Sequence, residues 1–457
     1  MENSPVTKNQ HYVIPITDLG YKGEGIGKRG SYTLYVPGAI PGDEVEVRIL
    51  KLKKRYGHAK LIQVVKASAD RIKPPCPIAL TCGGCQIQQL SYKQQLFFKL
   101  KHITDSLIRI GKISDVEVLP IAGMSDPFHY RNKAQFAVGN HPYTEQVEFG
   151  FYAIHSHRII NTNACLIQHP IVSEILAIAR SFIVTHALPI YDESTHTGLI
   201  RHLVIRTSFS SKKAMVTWVI NGKALPNQKI WIKEIMAHPA VSSVFICHNM
   251  EMGDTVMQGK LSHLSGDPVL IETIGDLQFR ISPFSFFQVN PTQTLVLYQH
   301  VLEACGFTGK ERVWDLYCGI GSIALFLARH SGSVLGVECV ADAIADATEN
   351  ARLNGISNAS FLCGEVERLI GVHEDLTTPP DVVVLDPPRK GCEPRVLAVL
   401  CETVKPKRIV YVSCDPATFA RDAAILVAGG YRLEKVQPVD LFPHTMHVEV
   451  VGRFELG

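Results

Sequence analysis

Val313-Trp-Asp-Leu-Tyr-Cys-Gly-Ile-Gly321 is the stretch whose reading decides the fold. An apolar run, Val313–Tyr317, meets two glycines separated by one residue, and Ser322–His330 follows with the composition of a helix. Strand, tight glycine turn and helix together make the nucleotide-type βα unit of an open parallel sheet. The turn is GxG only, short of the full dinucleotide fingerprint. The next strand-like run, Ser333–Val337, ends in Glu338, about twenty residues past the glycines, where an acid can take both ribose hydroxyls. A capping or surface acid is the plainer alternative. Asp381–Leu385 reads as a third buried strand, ending in Asp386-Pro387-Pro388-Arg389. A last one, Leu433–Asp440, precedes Phe442-Pro-His-Thr-Met-His447-Val-Glu449.

Between them lies Tyr411–Asp422, YVSCDPATFARD. The strand-like Arg408–Val412 breaks at Ser413-Cys414-Asp415-Pro416, because proline cannot donate to a ladder and pushes Asp415 out of helical geometry. Ala417–Leu426 then reads as a helix. A cysteine at a strand-to-helix junction stands where open α/β sheets bind ligands, and a helix N-terminus beside it is expected to lower its pKa. A buried structural cysteine is the competing reading.

A chain of 457 residues has room for about three domains. It is 46% apolar and 19% charged, with no run of 18 apolar residues and no basic-then-apolar leader over Met1–Pro15. A chain neither membrane-spanning nor secreted is expected. Its 12 cysteines, mostly unpaired in spacing, suit a reducing cytosol with metal or catalytic thiols. The net charge of +3 hides an asymmetry: residues 1–73 carry +6. Within them Arg48–Lys60 (RILKLKKRYGHAK) has six cations and no acid, which suits phosphate binding by counterion release or a plain solvated face.

Residues 10–66 read as strands (Val13–Ile16, Tyr32–Val36, Glu44–Leu50, Ala59–Val65) punctuated by glycines that suit turns. A small closed barrel with a cationic face is the economical fold, and such barrels often bind single-stranded RNA. Beyond a proline-rich joint, Asp70–Pro77, comes Cys76-x5-Cys82-Gly-Gly-Cys85, with Cys165 far downstream. Three local thiols and a remote fourth suit an iron–sulfur cluster better than the paired Cys-x2-Cys of structural zinc. Zinc and chance clustering remain open on spacing alone. Ser91–Ile110 reads as an amphipathic helix with Leu96, Leu100, Ile103 and Leu107 on its apolar face. Arg131, Lys133, Arg201, His202 and Arg206 sit among strand patterns, facing RNA or merely exposed.

Several of these stretches resemble one family. GEGIGKRG and VPGAIPGDEVEV resemble the TRAM domain of RNA-modification enzymes, and CGGCQIQ resembles the cluster site of the bacterial uracil-5-methyltransferases of ribosomal RNA. FFQVN, DLYCGIGS, GVE, LDPPRKG, SCDP and FPHTMHVE follow in family order, so nearly the whole chain is similar to the S-adenosylmethionine-dependent uracil-C5 methyltransferases. Asp415, where Asn is commoner, and Ser322 depart from the pattern.

The resemblance implies a multidomain fold: an OB-like TRAM barrel over 1–68, an α+β iron–sulfur domain over 69–280 and a Rossmann-like methyltransferase over 281–457. It implies Cys414 as nucleophile, Glu449 as base and Asp386 beside them. Gln288, Tyr317, Glu338 and Asp386 become contacts of S-adenosyl-L-methionine, and Cys76, Cys82, Cys85 and Cys165 the ligands of a [4Fe–4S] cluster. The expected substrate is 23S ribosomal RNA, giving 5-methyluridine, for a cytoplasmic, monomeric enzyme. Competing readings are a tRNA uracil-5-methyltransferase and a non-catalytic RNA-binding protein with a redox-sensing cluster. A radical enzyme is disfavoured because it needs only three cluster ligands and no such cofactor cleft.

Overall fold

Alternation of buried and exposed residues builds five strands near the N-terminus: β1 (His11–Leu19), β2 (Gly25–Arg29), β3 (Tyr32–Val36), β4 (Glu44–Leu52) and β5 (Tyr56–Lys66). Ile14, Ile16, Leu34, Val36, Val45, Val47 and Ile49 point inward at period two. The strands close into a barrel in the order β1-β2-β3-β5-β4. The computed structural model describes residues 5–154 and 156–457; residues 1–4, where the first expected domain begins, lie outside the described residues.

Strand β2 was not anticipated, because its glycines read as turn residues. A Cβ on Gly27 would stand 2.7 Å from the Pro15 carbonyl and 2.8 Å from Ile14 Cδ1, so glycine here permits close approach inside a strand. Gly23, at φ +82°, is the turn glycine. All six cations of Arg48–Lys60 are exposed, on β4, β5 and the turn between them. Beside them Tyr35, Tyr56 and His58 cluster with ring centroids 5.6–5.7 Å apart.

The chain falls into two compact units. The first comprises Met1–His102, Tyr152–Arg158 and Phe442–His447; the second holds the remainder. In the first, the cysteine loop bridges Cys82 to Ala153. Gly83 donates to Tyr152 O at 2.9 Å, and a Cβ on it would meet that same oxygen. The helix Tyr92–Ser106 follows. Its expected apolar stripe holds at Ile103 and Leu107, which are buried, but not earlier: Leu96 and Leu100 are half-exposed, while Gln95 and Lys99 are fully buried. Each of the two polar side chains donates to a backbone carbonyl, Gln95 to Leu90 at 2.9 Å and Lys99 to Phe442 at 3.0 Å, which is what lets them be buried.

The second unit contains two large sheets. One has seven strands, ordered Lys260–Gly266, Val241–His248, Ala214–Ile220, Ile200–Thr207, Lys133–Asn140, Val147–Tyr152, Ile159–Asn161. The helices Ile171–Thr185 and Gln228–Met236 contribute Phe182 and Trp231, which pack with Trp218 of that sheet. Val204, Val219 and Cys247 form a smaller cluster with Val256, Met257 and Leu261. Residues of Ala214–Ile220 enter both clusters, and the strand reads as an unbroken apolar run.

The other sheet has eight strands, ordered Ala359–Cys363, Ser333–Glu338, Arg312–Leu316, Val382–Leu385, Arg408–Ser413, Glu449–Leu456, Tyr431–Val439, Glu117–Val118. The first five run parallel, and Glu449–Leu456 runs antiparallel to both of its neighbours. Chain order reverses between Arg312–Leu316 and Val382–Leu385, which opens a crevice beyond the carboxyl ends of those strands. Among the described residues no helix is long and apolar enough to cross a membrane.

Candidate active site

The crevice collects the expected residues because their strands end together. Leu316 pairs with both Val337 and Leu385, so Tyr317, Glu338 and Asp386 follow side by side. Leu385 pairs with Tyr411, and that strand runs on to Ser413 before Cys414. Val450 lies opposite Ser413 on the antiparallel strand, so Glu449 begins that strand at the edge where Cys414 leaves its own.

The glycine turn is built for close approach to a ligand. Tyr317 adopts φ +70°, a strained conformation for a tyrosine, with its hydroxyl on Glu367 at 3.0 Å. Gly319 and Gly321 have φ +54° and +77°; a Cβ on Gly319 would project into open space, while one on Gly321 would strike Phe361 at 2.9 Å. Glu338 accepts from Gly319 N–H at 3.2 Å and Val340 N–H at 3.0 Å, which fixes its carboxylate at the turn. Ser322 accepts from the buried Tyr298 hydroxyl at 2.7 Å.

Gln288 is buried in the segment Ser282–Asn290. Two groups whose role sequence reasoning missed hold this segment: Asn132 donates to Gln288 O at 3.0 Å, and Arg206 donates to Pro283 O at 3.4 Å and to Ser285 O. Arg206 and Arg201 are therefore not exposed RNA-facing charges. Both are buried, and Arg201 donates to the carbonyls of Asn249 and Glu251 at 2.7 Å each. Burial also pushes His202 down to about 4 and Lys133 down to about 7, the latter helped by Arg206 and Arg131. Arg131 donates through Nε to Lys133 O at 3.1 Å. Long cationic stems in strand patterns gave no signal separating a buried carbonyl clamp from an exposed charge.

Electrostatics at the crevice run against the expectation for Cys414. Burial, reinforced by Glu449 and Asp386, pushes its thiol up to about 12. The helix Pro416–Ala428 gives no relief, because Asp415 caps it, accepting from Ala417 N–H at 2.9 Å and Thr418 N–H at 3.1 Å. Burial raises Asp386 to about 7 and, with Asp386 adding, Glu449 to about 8. Asp315, one strand away and fully buried, is pushed well above the carboxylate range by burial and by Asp386. Arg389 opposes these shifts at both Cys414 and Glu449. Its loop is fixed from beneath: Asp422 accepts from Tyr411 at 2.6 Å and from Cys392 N–H at 2.9 Å, joining the two ends of Tyr411–Asp422.

The cysteines fit a cluster only in part. Cys76, Cys82 and Cys85 share one loop; Cys82 is buried, and Cys76, Cys85 and the remote Cys165 are half-buried. Gly84 N–H lies 3.4 Å from Cys82 Sγ, and Gln88 reaches Cys76 N–H at 3.0 Å and Cys85 Sγ at 3.9 Å. Among the described residues, no group of three or more His, Cys, Asp or Glu is gathered closely enough to hold a metal ion. Wide loop spacing shows which thiols are available without fixing how the loop packs.

Similarity to known proteins agrees with this geometry. The family described as tRNA (Uracil-5-)-methyltransferase matches residues 273–454, and the TRAM domain matches residues 5–62. An uncharacterized RNA methyltransferase of Clostridium tetani is 45% identical, covering 98% of this chain and 96% of its own, and another from Halalkalibacterium halodurans is 43% identical over 100% and 99%. The crystal structure of the Pyrococcus abyssi tRNA (uracil-54, C5)-methyltransferase in complex with S-adenosyl-L-homocysteine superposes with a TM-score of 0.78 at 28% identity, covering 97% of this chain and all of that one. The chain belongs to the S-adenosylmethionine-dependent RNA uracil-5-methyltransferases. Its closed barrel is the family's TRAM domain and its eight-stranded sheet carries the methyltransferase fold.

The raised acids set a pH dependence. In an unfolded chain they ionise near 4, whereas folded Asp386 and Glu449 hold their protons to about 7 and about 8. Between those limits the folded state binds more protons, so this stabilisation is complete below about pH 4 and is lost as pH rises through 7 to 8. The thermal midpoint of the ligand-free protein should fall between about pH 6 and about pH 9, less steeply in Glu449→Gln. A midpoint that rises over that interval contradicts the electrostatic picture.

Proposed function

We propose that this uracil-5-methyltransferase acts on uridines of 23S ribosomal RNA through a covalent adduct at Cys414. The observation that carries the reading is the convergence of Cys414, Asp386 and Glu449 at one sheet edge beside the glycine turn. Bound S-adenosylmethionine supplies a methyl group on a cationic sulfur. Gln288, Tyr317, Glu338 and Asp386 are the residues that would hold it. The glycine turn suits such a ligand, because Gly319 leaves space for close approach and Glu338 stands at the strand end where ribose hydroxyls are taken.

Uracil C5 is a weak nucleophile until a thiolate adds to C6. Cys414 Sγ forms that bond, and the electron pair moves to C5, which then takes the methyl group. Glu449 carboxylate removes the C5 proton, the C5–C6 double bond re-forms, and the thiolate leaves. The Cys414 proton must depart first, and Arg389 is the cation that favours both the thiolate and the ionised base. Asp386 orients the uracil edge or the cofactor. The target uridine is flipped out of the RNA to reach the crevice. The exposed cations of Arg48–Lys60 and the Tyr35, Tyr56, His58 cluster suit RNA backbone and unstacked bases, which favours a large folded substrate. A reducing cytosol suits a chain with twelve cysteines mostly unpaired in spacing.

Methyl-labelled cofactor, offered with unmodified 23S rRNA and unmodified tRNA, should label C5 of rRNA uridines alone; label confined to tRNA overturns the substrate reading. Cys414→Ala should abolish labelling and still bind cofactor, and full activity in that variant overturns the nucleophile.

We also infer that Cys76, Cys82, Cys85 and Cys165 ligate a [4Fe–4S] cluster. The Cys-x5-Cys-x2-Cys spacing and the Gly84 N–H aimed at Cys82 Sγ support this. No step of methyl transfer runs through it. Protein purified without oxygen should contain iron and acid-labile sulfide, both lost in Cys85→Ser; zinc, or no metal, contradicts the assignment.

A further inference from the structure

Arg389 stands beyond the end of the strand Val382–Leu385, so no strand pairing fixes it. It occupies a corner of a β-turn in which Gly391 N–H donates to Pro388 O at 2.8 Å. The tip of that turn, Pro388–Lys390, is exposed, and its base, Gly391 and Cys392, is buried. The base rests on the helix Pro416–Ala428, which begins just after Cys414. Arg421 donates to Lys390 O at 2.8 Å, and Asp422 accepts from Cys392 N–H at 2.9 Å. Gly391, between them, has φ +79°, and a Cβ there would strike both the Arg421 guanidinium and the Asp422 carboxylate.

Asp422 is fully buried, and a buried carboxylate is costly unless it is bonded. Its other donors are Arg421 Nε at 2.8 Å and the Tyr411 hydroxyl at 2.6 Å. One carboxylate thus joins the strand entering the Cys414 turn, the helix leaving it and the loop carrying Arg389. Lys390 pairs with Glu393 at 2.7 Å, whereas Arg389 has no ion-pair partner among the described residues. At Cys414 its charge opposes Glu449, Asp386 and Asp415, and at Glu449 it opposes Asp386.

We propose that Arg421 and Asp422 are positioning residues for Arg389. They fasten its turn to the helix that follows Cys414, so that cation and nucleophile keep one spacing. Without the clamp an exposed turn carries the guanidinium into solvent, where screening weakens its effect. The proposal rests on the reading of Arg389 as the cation that favours the Cys414 thiolate.

The test follows alkylation of Cys414 by iodoacetamide in the full-length protein, read by mass spectrometry of its peptide, together with methyl transfer to RNA and cofactor binding. Only the thiolate reacts, so the rate tracks the ionised fraction. Arg389→Met, Arg421→Met and Asp422→Asn should each slow alkylation about threefold or more and lower turnover in step, while cofactor affinity holds. Loosening alone would expose the thiol and speed alkylation, so the sign separates positioning from general support. Arg421→Lys, which keeps a donor for the Lys390 carbonyl, should restore the rate. In an Arg389→Met background Arg421→Met should add nothing, because the two residues act as one unit. The Arg421 side chain is half-exposed, so its variants decide the matter even if Asp422→Asn folds poorly. If Arg389→Met slows alkylation while Arg421→Met leaves it unchanged or faster, or slows it just as much in the Arg389→Met background, the positioning role is overturned alone. If Arg389→Met leaves the rate unchanged, the reading of Arg389 falls and this inference falls with it.

Discussion

Chain order reverses between the strands Arg312–Leu316 and Val382–Leu385, and that reversal determines where every reactive group goes. Helices leaving neighbouring strands in opposite directions cannot close over the sheet edge between them, so a crevice is built into the topology. Parallel strands deliver their last residues to the same edge. Tyr317, Glu338, Asp386 and Cys414 therefore meet although nearly a hundred residues separate the first from the last. The antiparallel strand Glu449–Leu456 starts at that edge where the others end, so Glu449 stands at the edge where Cys414 leaves the strand beside it.

Burial at that edge has an electrostatic consequence. Asp315, Asp386 and Glu449 all resist ionisation, and the Cys414 thiol resists it more strongly. A cationic sulfonium is the complementary guest for such acids, since its charge favours their ionised forms. Arg389 is exposed and belongs to a loop clamped by Asp422, so it supplies positive charge at the mouth of the crevice.

The sequence made the elements that carry period and punctuation legible. Arg312–Leu316, Arg408–Ser413 and the helix after Pro416 follow from apolar runs punctuated by glycine or proline, and Ser333–Glu338 from an apolar run ended by an acid. The closed barrel was legible too, apart from β2, whose Gly25 and Gly27 allow close contact with Ala39 and with Pro15 and Ile14 rather than turning the chain. What stayed hidden were polar residues used as clamps. Gln95, Lys99, Arg201 and Arg206 look like solvated side chains because they bond backbone groups remote in sequence, an N–H for Gln95 and carbonyls for the other three, and only the folded chain supplies those. The raised thiol was hidden for the same kind of reason: its burial and its nearness to Glu449 and Asp386, which raise it, arise only in the folded chain.

Covalent addition by Cys414 is the step on which the proposed chemistry stands, and RNA carrying 5-fluorouridine at the target isolates it. Fluorine at C5 cannot leave as a proton does, so the reaction halts after methyl transfer with the thioether intact. Mass spectrometry of the digested complex should find methylated fluorouridine attached to the peptide containing Cys414, formed only when S-adenosylmethionine is present. Attachment to another cysteine, Cys318 or Cys392 being the near alternatives, or methylated RNA with no attached peptide, would contradict the mechanism.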